Sequence, residues 1–128
     1  MNLNQVTIPV KDVLKSIQFY ETLGLKLIVH THDKYARFEC TPGGTTFSLQ
    51  YVDSLTSGNK TTIYFEREDI DEYVKHLIAK GIEFLEMPTD QPWLWREALL
   101  LDPDGHPIKI YRAGINRLNP PWRLTSDE

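Results

Sequence analysis

Two stretches of this sequence repeat one pattern at an almost constant offset, which constrains the fold more than any other feature of the chain. In the first, Val6-Thr7-Ile8-Pro9-Val10 alternates apolar with other residues, the mark of a half-buried strand. Asp12 then stands where a helix N-cap belongs. Val13, Ile17, Tyr20 and Leu23 recur at helical spacing, and Gly24 closes the helix in the left-handed manner. In the second stretch, Ile63-Tyr64-Phe65 reads as a strand and Asp69 with Glu72 as a capping box. Ile70, Tyr73, Val74, Leu77 and Ile78 form the helical stripe, and Gly81 ends it. Caps and stops lie 57 positions apart, from 12 to 69 and from 24 to 81. Farther on, Thr41-Pro42-Gly43-Gly44 matches Asp102-Pro103-Asp104-Gly105 at an offset of 61, both being glycine-bearing turns. The change of offset places a four-residue insertion in the second copy, within residues 87–93.

Each copy therefore predicts a strand, a helix and three further strands. The three strands are expected at 26–32, 35–40 and 45–52 in the first copy, and at 83–86, 95–101 and 107–112 in the second. The class is α+β, two βαβββ repeats over about residues 3–53 and 60–113. With no Gly/Ser-rich linker between them, residues 1–113 are expected to form one domain, with 114–128 as a tail. At 128 residues the chain is long enough to bury a core without covalent staples, and its single cysteine, Cys40, rules out an internal disulfide. Fourteen basic residues against 18 acidic ones give a net charge of −4 with no basic block, which disfavours nucleic acid as a partner. Residues 1–11 carry no basic-then-apolar leader, and no apolar run reaches the length of a membrane span. A cytoplasmic protein with no membrane partner is the expectation.

The repeat, with Val10-Lys11-Asp12, Phe19-Tyr20, Leu23-Gly24-Leu25, Phe65, Asp69-Ile70-Asp71, Gly81-Ile82 and Asp102-Pro103-Asp104-Gly105, resembles the vicinal oxygen chelate superfamily, the glyoxalase and bleomycin-resistance fold. The resemblance implies a curved mixed sheet with helices outside and a ligand cavity on the concave face. It implies no single reaction, because the superfamily holds isomerases, dioxygenases, thiol transferases and metal-free drug-sequestering proteins.

Strand alternation then assigns residues to that concave face. With Val6, Ile8 and Val10 toward a helix, Gln5 and Thr7 face the cavity; with Phe47 and Leu49 buried, Ser48 and Gln50 do so. Thr62, Tyr64 and Glu66 alternate with Ile63 and Phe65, and Lys109 and Tyr111 with Ile108 and Ile110. Arg37, Glu39 and Arg96 are assigned to the same face from neighbouring strands, and Trp95 borders it.

Metal-dependent members of the superfamily take His, Glu or Gln ligands from four equivalent strand positions. In this sequence those positions hold Gln5, Ser48, Thr62 and Lys109. Gln5 alone offers a plausible ligand, and an ammonium near a divalent ion is repulsive even at an effective dielectric of about 20. No metal and no cofactor are expected. A displaced site could use His30, His32 and Glu39; the plainer alternative is two solvent-facing histidines at a strand end. His106 reads as a turn residue, His76 as a helix-surface residue and Cys40 as a small buried one.

Lys109 has three readings: an ion pair with Glu66 or Glu39, recognition of a ligand anion, or covalent chemistry. Arg96 can bind a ligand carboxylate or pair with Glu97 or Glu39. Trp93 and Trp95 can stack on a planar ligand or close the core or a dimer seam. In the tail, Ile115, Leu118 and Trp122 are expected to act as apolar anchors, with 125–128 disordered. The function expected is a homodimeric binder of a small organic molecule, anionic or zwitterionic. The alternative is an enzyme with relocated metal ligands or metal-free acid–base chemistry using Lys109, Glu66 or Tyr64.

Overall fold

The computed structural model describes residues 1–55 and 61–124. The chain divides into two compact units, Met1–Lys60 with Asp102–Gly105, and Thr61–Leu101 with His106–Glu128. The first contains β1 (Gln5–Val10), α1 (Val13–Thr22), β2 (Lys26–Thr31), β3 (Tyr35–Cys40) and β4 (Thr45–Tyr51). The second contains β5 (Ile63–Glu66), α2 (Ile70–Ala79), β6 (Glu86–Asp90), β7 (Arg96–Leu101), β8 (Pro107–Arg112) and the single-turn α3 (Ile115–Leu118). Each unit builds a four-stranded mixed sheet, ordered β1-β4-β3-β2 and β5-β8-β7-β6. In each, the first strand runs parallel to the last and the other pairings are antiparallel. This is the βαβββ repeat.

In the first unit the helix buries the stripe its spacing predicts. Val13, Ile17, Tyr20 and Leu23 pack with Ile8, Val10, Ala36, Phe38, Phe47 and Leu49 in the core. Asp12 caps α1 by accepting from the Lys15 amide at 3.1 Å, and Gly24 takes the positive φ of 105° that a left-handed stop requires. The turn Asp102–Gly105 belongs to this unit. There the buried Tyr20 Oη donates to the buried Asp102 Oδ2 at 2.7 Å, while the Asp104 amide donates to Asp102 Oδ1 at 2.9 Å. Two motifs that carry the family resemblance, the Phe-Tyr pair and the Asp-Pro-Asp-Gly turn, are thus joined by one hydrogen bond.

The second unit departs from expectation at three places. Asp69 sits at the N-cap of α2 but makes no capping bond. The Arg67 guanidinium holds its carboxylate through two bonds of 2.8 and 2.9 Å, so no capping box forms. Ile78 is exposed and Tyr73 half-buried, which narrows the buried stripe of α2 to Ile70, Val74 and Leu77. The sixth strand begins at Glu86 and runs to Asp90, rather than covering 83–86. It is an edge strand with an irregular register between Glu86 and Thr89, where Pro88 costs no internal ladder bond. Met87–Asp90 of the inserted stretch therefore lie in the strand. Among the described residues no helix is long and apolar enough to cross a membrane.

Candidate functional site

In the first unit the sheet face turned away from α1 carries a connected polar network. Register aligns Gln5 with Thr46, Thr7 with Ser48, Arg37 with Ser48 and Glu39 with Thr46, so all of them share that face with Gln50 and Tyr35. Gln5 Nε2 donates to Ser48 Oγ at 2.9 Å and to Thr7 Oγ1 at 3.0 Å, and Thr46 Oγ1 donates to Gln5 Oε1. The fully buried Ser48 hydroxyl shares a 2.7 Å hydrogen bond with Tyr35 Oη, which accepts from Arg37 Nε at 2.9 Å. Burial pushes the Tyr35 phenol up, but its bonds to Ser48 and Arg37 and the guanidinium charge outweigh this and hold it below its usual value. Gln50 lies at the strand end and donates to the Lys34 carbonyl at 3.3 Å.

In the second unit the corresponding face is aromatic and ionic. Register aligns Tyr64 with Lys109, Glu66 and Glu97 with Tyr111, and Leu99 with Lys109. Lys109 Nζ donates to Glu97 Oε1 at 2.9 Å, and Trp93 Nε1 donates to the other carboxylate oxygen at 2.9 Å. Glu97 is only 3% exposed. Its bond holds the Lys109 ammonium above the usual lysine value, against the opposing effect of burial. Tyr64, Trp95 and Tyr111 form a mutual cluster with ring centroids 5.0–5.9 Å apart.

Several expectations need correction. Lys109 pairs with Glu97, not with Glu66 or Glu39. Glu66 instead accepts the Ala113 and Gly114 amides at 2.8 and 3.0 Å, tying down the start of the tail. Arg96 pairs with Arg112 and shares the strand parity of the buried Ala98 and Leu100, on the α2 side of its sheet. It grips Asp71 of α2 at 2.7 Å and Asp90 at 3.0 Å, and this bond keeps the Asp71 carboxyl below its usual value. Thr62 precedes β5 rather than lying in it. Trp95 Nε1 donates to the Asn116 carbonyl at 3.2 Å, but the expected anchors Ile115, Leu118 and Trp122 are exposed. The tail is held by polar bonds near its start; residues 125–128 lie outside the described part.

The histidine alternative fails on geometry. His30 pairs with Ala36 on the helix side of the sheet, Glu39 points to the other side, and His32 has left the strand with a φ of 48°. Among the described residues no three His, Cys, Asp or Glu side chains gather as a metal would need. His106 follows the Asp102–Gly105 turn, just before β8, and His76 is exposed on α2. Cys40 is half-buried, and burial followed by the charge of Glu39 pushes its thiol up, away from reactivity.

The superfamily's metal can be tested against the donors present. In the first unit the Gln5 amide oxygen accepts from Thr46 and the Ser48 hydroxyl is bonded to Tyr35. In the second, Thr62 lies outside its strand and Lys109 is an ammonium held by a buried carboxylate. Neither the engaged amide and bonded hydroxyl of the first unit, nor the hydroxyl and paired cation of the second, is a donor set that fits a divalent ion.

Tyr35 was not assigned to the polar face of the first unit, and Glu97 was considered only as a partner for Arg96 rather than for Lys109. Tyr35 has the same strand parity as Arg37 and Glu39 and was legible from it. Glu97 was hidden because Ala98, Leu99, Leu100 and Leu101 form a continuous apolar run with no alternation to count from.

A family model described as Glyoxalase/Bleomycin resistance protein/Dioxygenase superfamily matches residues 2–110. Among solved structures, a glyoxalase/bleomycin resistance protein/dioxygenase from Nocardioides is 25% identical with a TM-score of 0.78, over 98% of this chain and 90% of that one. A superfamily member from Sphaerobacter thermophilus DSM 20745 is 27% identical with a TM-score of 0.72, over 88% and 97%. A lactoylglutathione lyase from Agrobacterium tumefaciens, 15% identical, shares the fold at a TM-score of 0.74 over 89% and 95%. No curated protein matches the chain.

Proposed function

From the premise that this chain belongs to the Glyoxalase/Bleomycin resistance protein/Dioxygenase superfamily, we propose that it binds a small organic molecule, and does so without the divalent ion of the metal-dependent members. The observation that carries this reading is the Lys109–Glu97 pair. A position that the resemblance assigns to a metal ligand holds a cation, and a carboxylate only 3% exposed keeps it charged. The faces turned away from the helices offer what a binder of organic molecules uses, hydroxyls and an amide in one unit and clustered aromatic rings in the other. The setting proposed is a homodimer in the cytoplasm, with Gln5, Thr7, Arg37, Glu39, Ser48 and Gln50 of the first unit and Tyr64, Glu66, Trp95, Lys109 and Tyr111 of the second as contact residues.

A catalytic reading has one observation in its favour: Tyr35 Oη is bonded to both Ser48 and the Arg37 guanidinium, contacts that hold the phenol below its usual value and suit proton transfer better than the tightly paired Lys109 does. Binding is the simpler reading, since it asks for no reacting group. Thermal unfolding in a panel of small organic acids, zwitterions and neutral aromatics, with excess chelator present, tests it. At a ligand concentration of about 100 times Kd, stabilisation of about 2.7 kcal/mol is expected. Stabilisation that appears only when a divalent ion replaces the chelator would overturn the metal-free reading.

A further inference from the structure

We propose that Arg37, seated by Tyr35, recognises an oxyanion on the bound molecule, a carboxylate or phosphate group; the inference rests on the small-molecule reading above and names the chemistry of its ligand. Arg37 lies in the middle of β3 on the face away from α1. Its Nε donates to Tyr35 Oη at 2.9 Å, and its guanidinium carbon lies 5.5 Å from the centre of the Tyr35 ring. Tyr35 is in turn fixed to Ser48, which is fully buried and also bonded to Gln5. A chain of hydrogen bonds thus runs from the sheet interior to the guanidinium and sets its orientation before any ligand arrives.

The two terminal nitrogens of Arg37 are the unused part. Among the described residues they have no hydrogen-bond partner, and Arg37 forms no ion pair, although Glu39 shares its face. The other half-buried strand cations are treated differently. Arg96 is neutralised by Asp71 and Asp90, and Lys109 by Glu97. A partly desolvated charge without a counter-charge is costly, so a half-buried guanidinium held in place with its fork open is best explained by a ligand that supplies the charge. The fork matches two oxygens of a carboxylate or phosphate side by side, a fit that an ammonium does not reproduce. Lys109, the other candidate for this role, is committed to Glu97.

The test is an amide NMR titration of the whole chain with benzoate, phenyl phosphate and the neutral benzamide. At least one anion should bind about 10- to 100-fold more tightly than benzamide and shift the amides of residues 35–39 and 46–48. Which anion does so identifies the oxyanion. Arg37→Met should abolish the preference, and Arg37→Lys should restore only part of it. Tyr35→Phe, which frees the guanidinium from its seat, should weaken the anion without affecting benzamide. Dispersed spectra show which variants are folded, and Tyr35→Phe and Arg37→Lys keep the test open if Arg37→Met is not. Equal binding of benzamide and both anions, undiminished anion binding by Arg37→Met, or no shift at these amides with either anion overturns the assignment. If panel compounds still bind in those cases, the small-molecule reading survives without it; if no panel compound binds, that reading falls as well.

Discussion

Lys109→Met should destabilise the protein by about 3 kcal/mol, because it strips the counter-charge from a carboxylate that has almost no contact with water. Among the described residues, Glu97 would keep only the Trp93 indole N–H, a neutral donor, in place of an ammonium at 2.9 Å. The figure sits at the low end for a broken buried pair, since the Lys109 side chain itself is 25% exposed. Thermal unfolding should show a drop on the order of 10 °C. Adding Glu97→Gln to Lys109→Met should recover most of it, because a neutral amide tolerates the apolar neighbour that a carboxylate cannot. A single variant as stable as the parent, or a double variant worse than the single, contradicts the structural role given to this pair. The same experiment bears on function: a lysine kept free for covalent chemistry would be removable at little cost to folding.

Asp102→Ala should cost about 3 kcal/mol by a different route. It orphans the Tyr20 hydroxyl, which is fully buried, and removes the acceptor for the Asp104 amide that shapes the turn. Tyr20→Phe removes only the first bond and leaves the ring packed on Phe38 and Phe47, so about 1–2 kcal/mol is expected. Burial, then the charge of Asp102, holds the Tyr20 phenol far above its usual value, so this bond stays intact through the alkaline range where exposed tyrosines ionise. Urea unfolding at neutral pH measures both variants. Equal losses for the two would mean that the turn bond contributes nothing.

The parts of the fold that could be read in advance are those where one physical requirement governed each residue. Gly24 and Gly81 both adopt positive φ, which the repeat predicts for them. The α1 stripe is buried as spaced, and β3 and β8 match their expected bounds. Misreadings arose where two requirements competed. Asp69 could cap a helix or bind Arg67, and the bidentate ion pair prevailed over one backbone bond. The inserted stretch could form a loop or lengthen the sixth strand, and an edge strand accommodates Pro88 without losing an internal ladder bond. Arg96 and Glu97 are adjacent and both charged; only cross-strand register decides that Arg96 goes toward α2 and Glu97 toward Lys109. The first-unit residues Gln5, Thr7, Arg37, Glu39, Ser48 and Gln50 lie on one face as alternation implies, yet the bonds among them depend on side-chain length and angle, which no periodicity encodes.

Metal-free binding requires that the four ligand positions of the superfamily no longer hold a metal in this chain. Tag-free protein should be equilibrated with zinc, nickel, manganese and cobalt in turn, freed of unbound ion by desalting, and its metal content measured per chain. If the protein binds without a metal, its content should stay far below one ion per chain for every metal, unchanged by Gln5→Ala. One ion per chain of any of the four, lost on Gln5→Ala, would contradict metal-free binding.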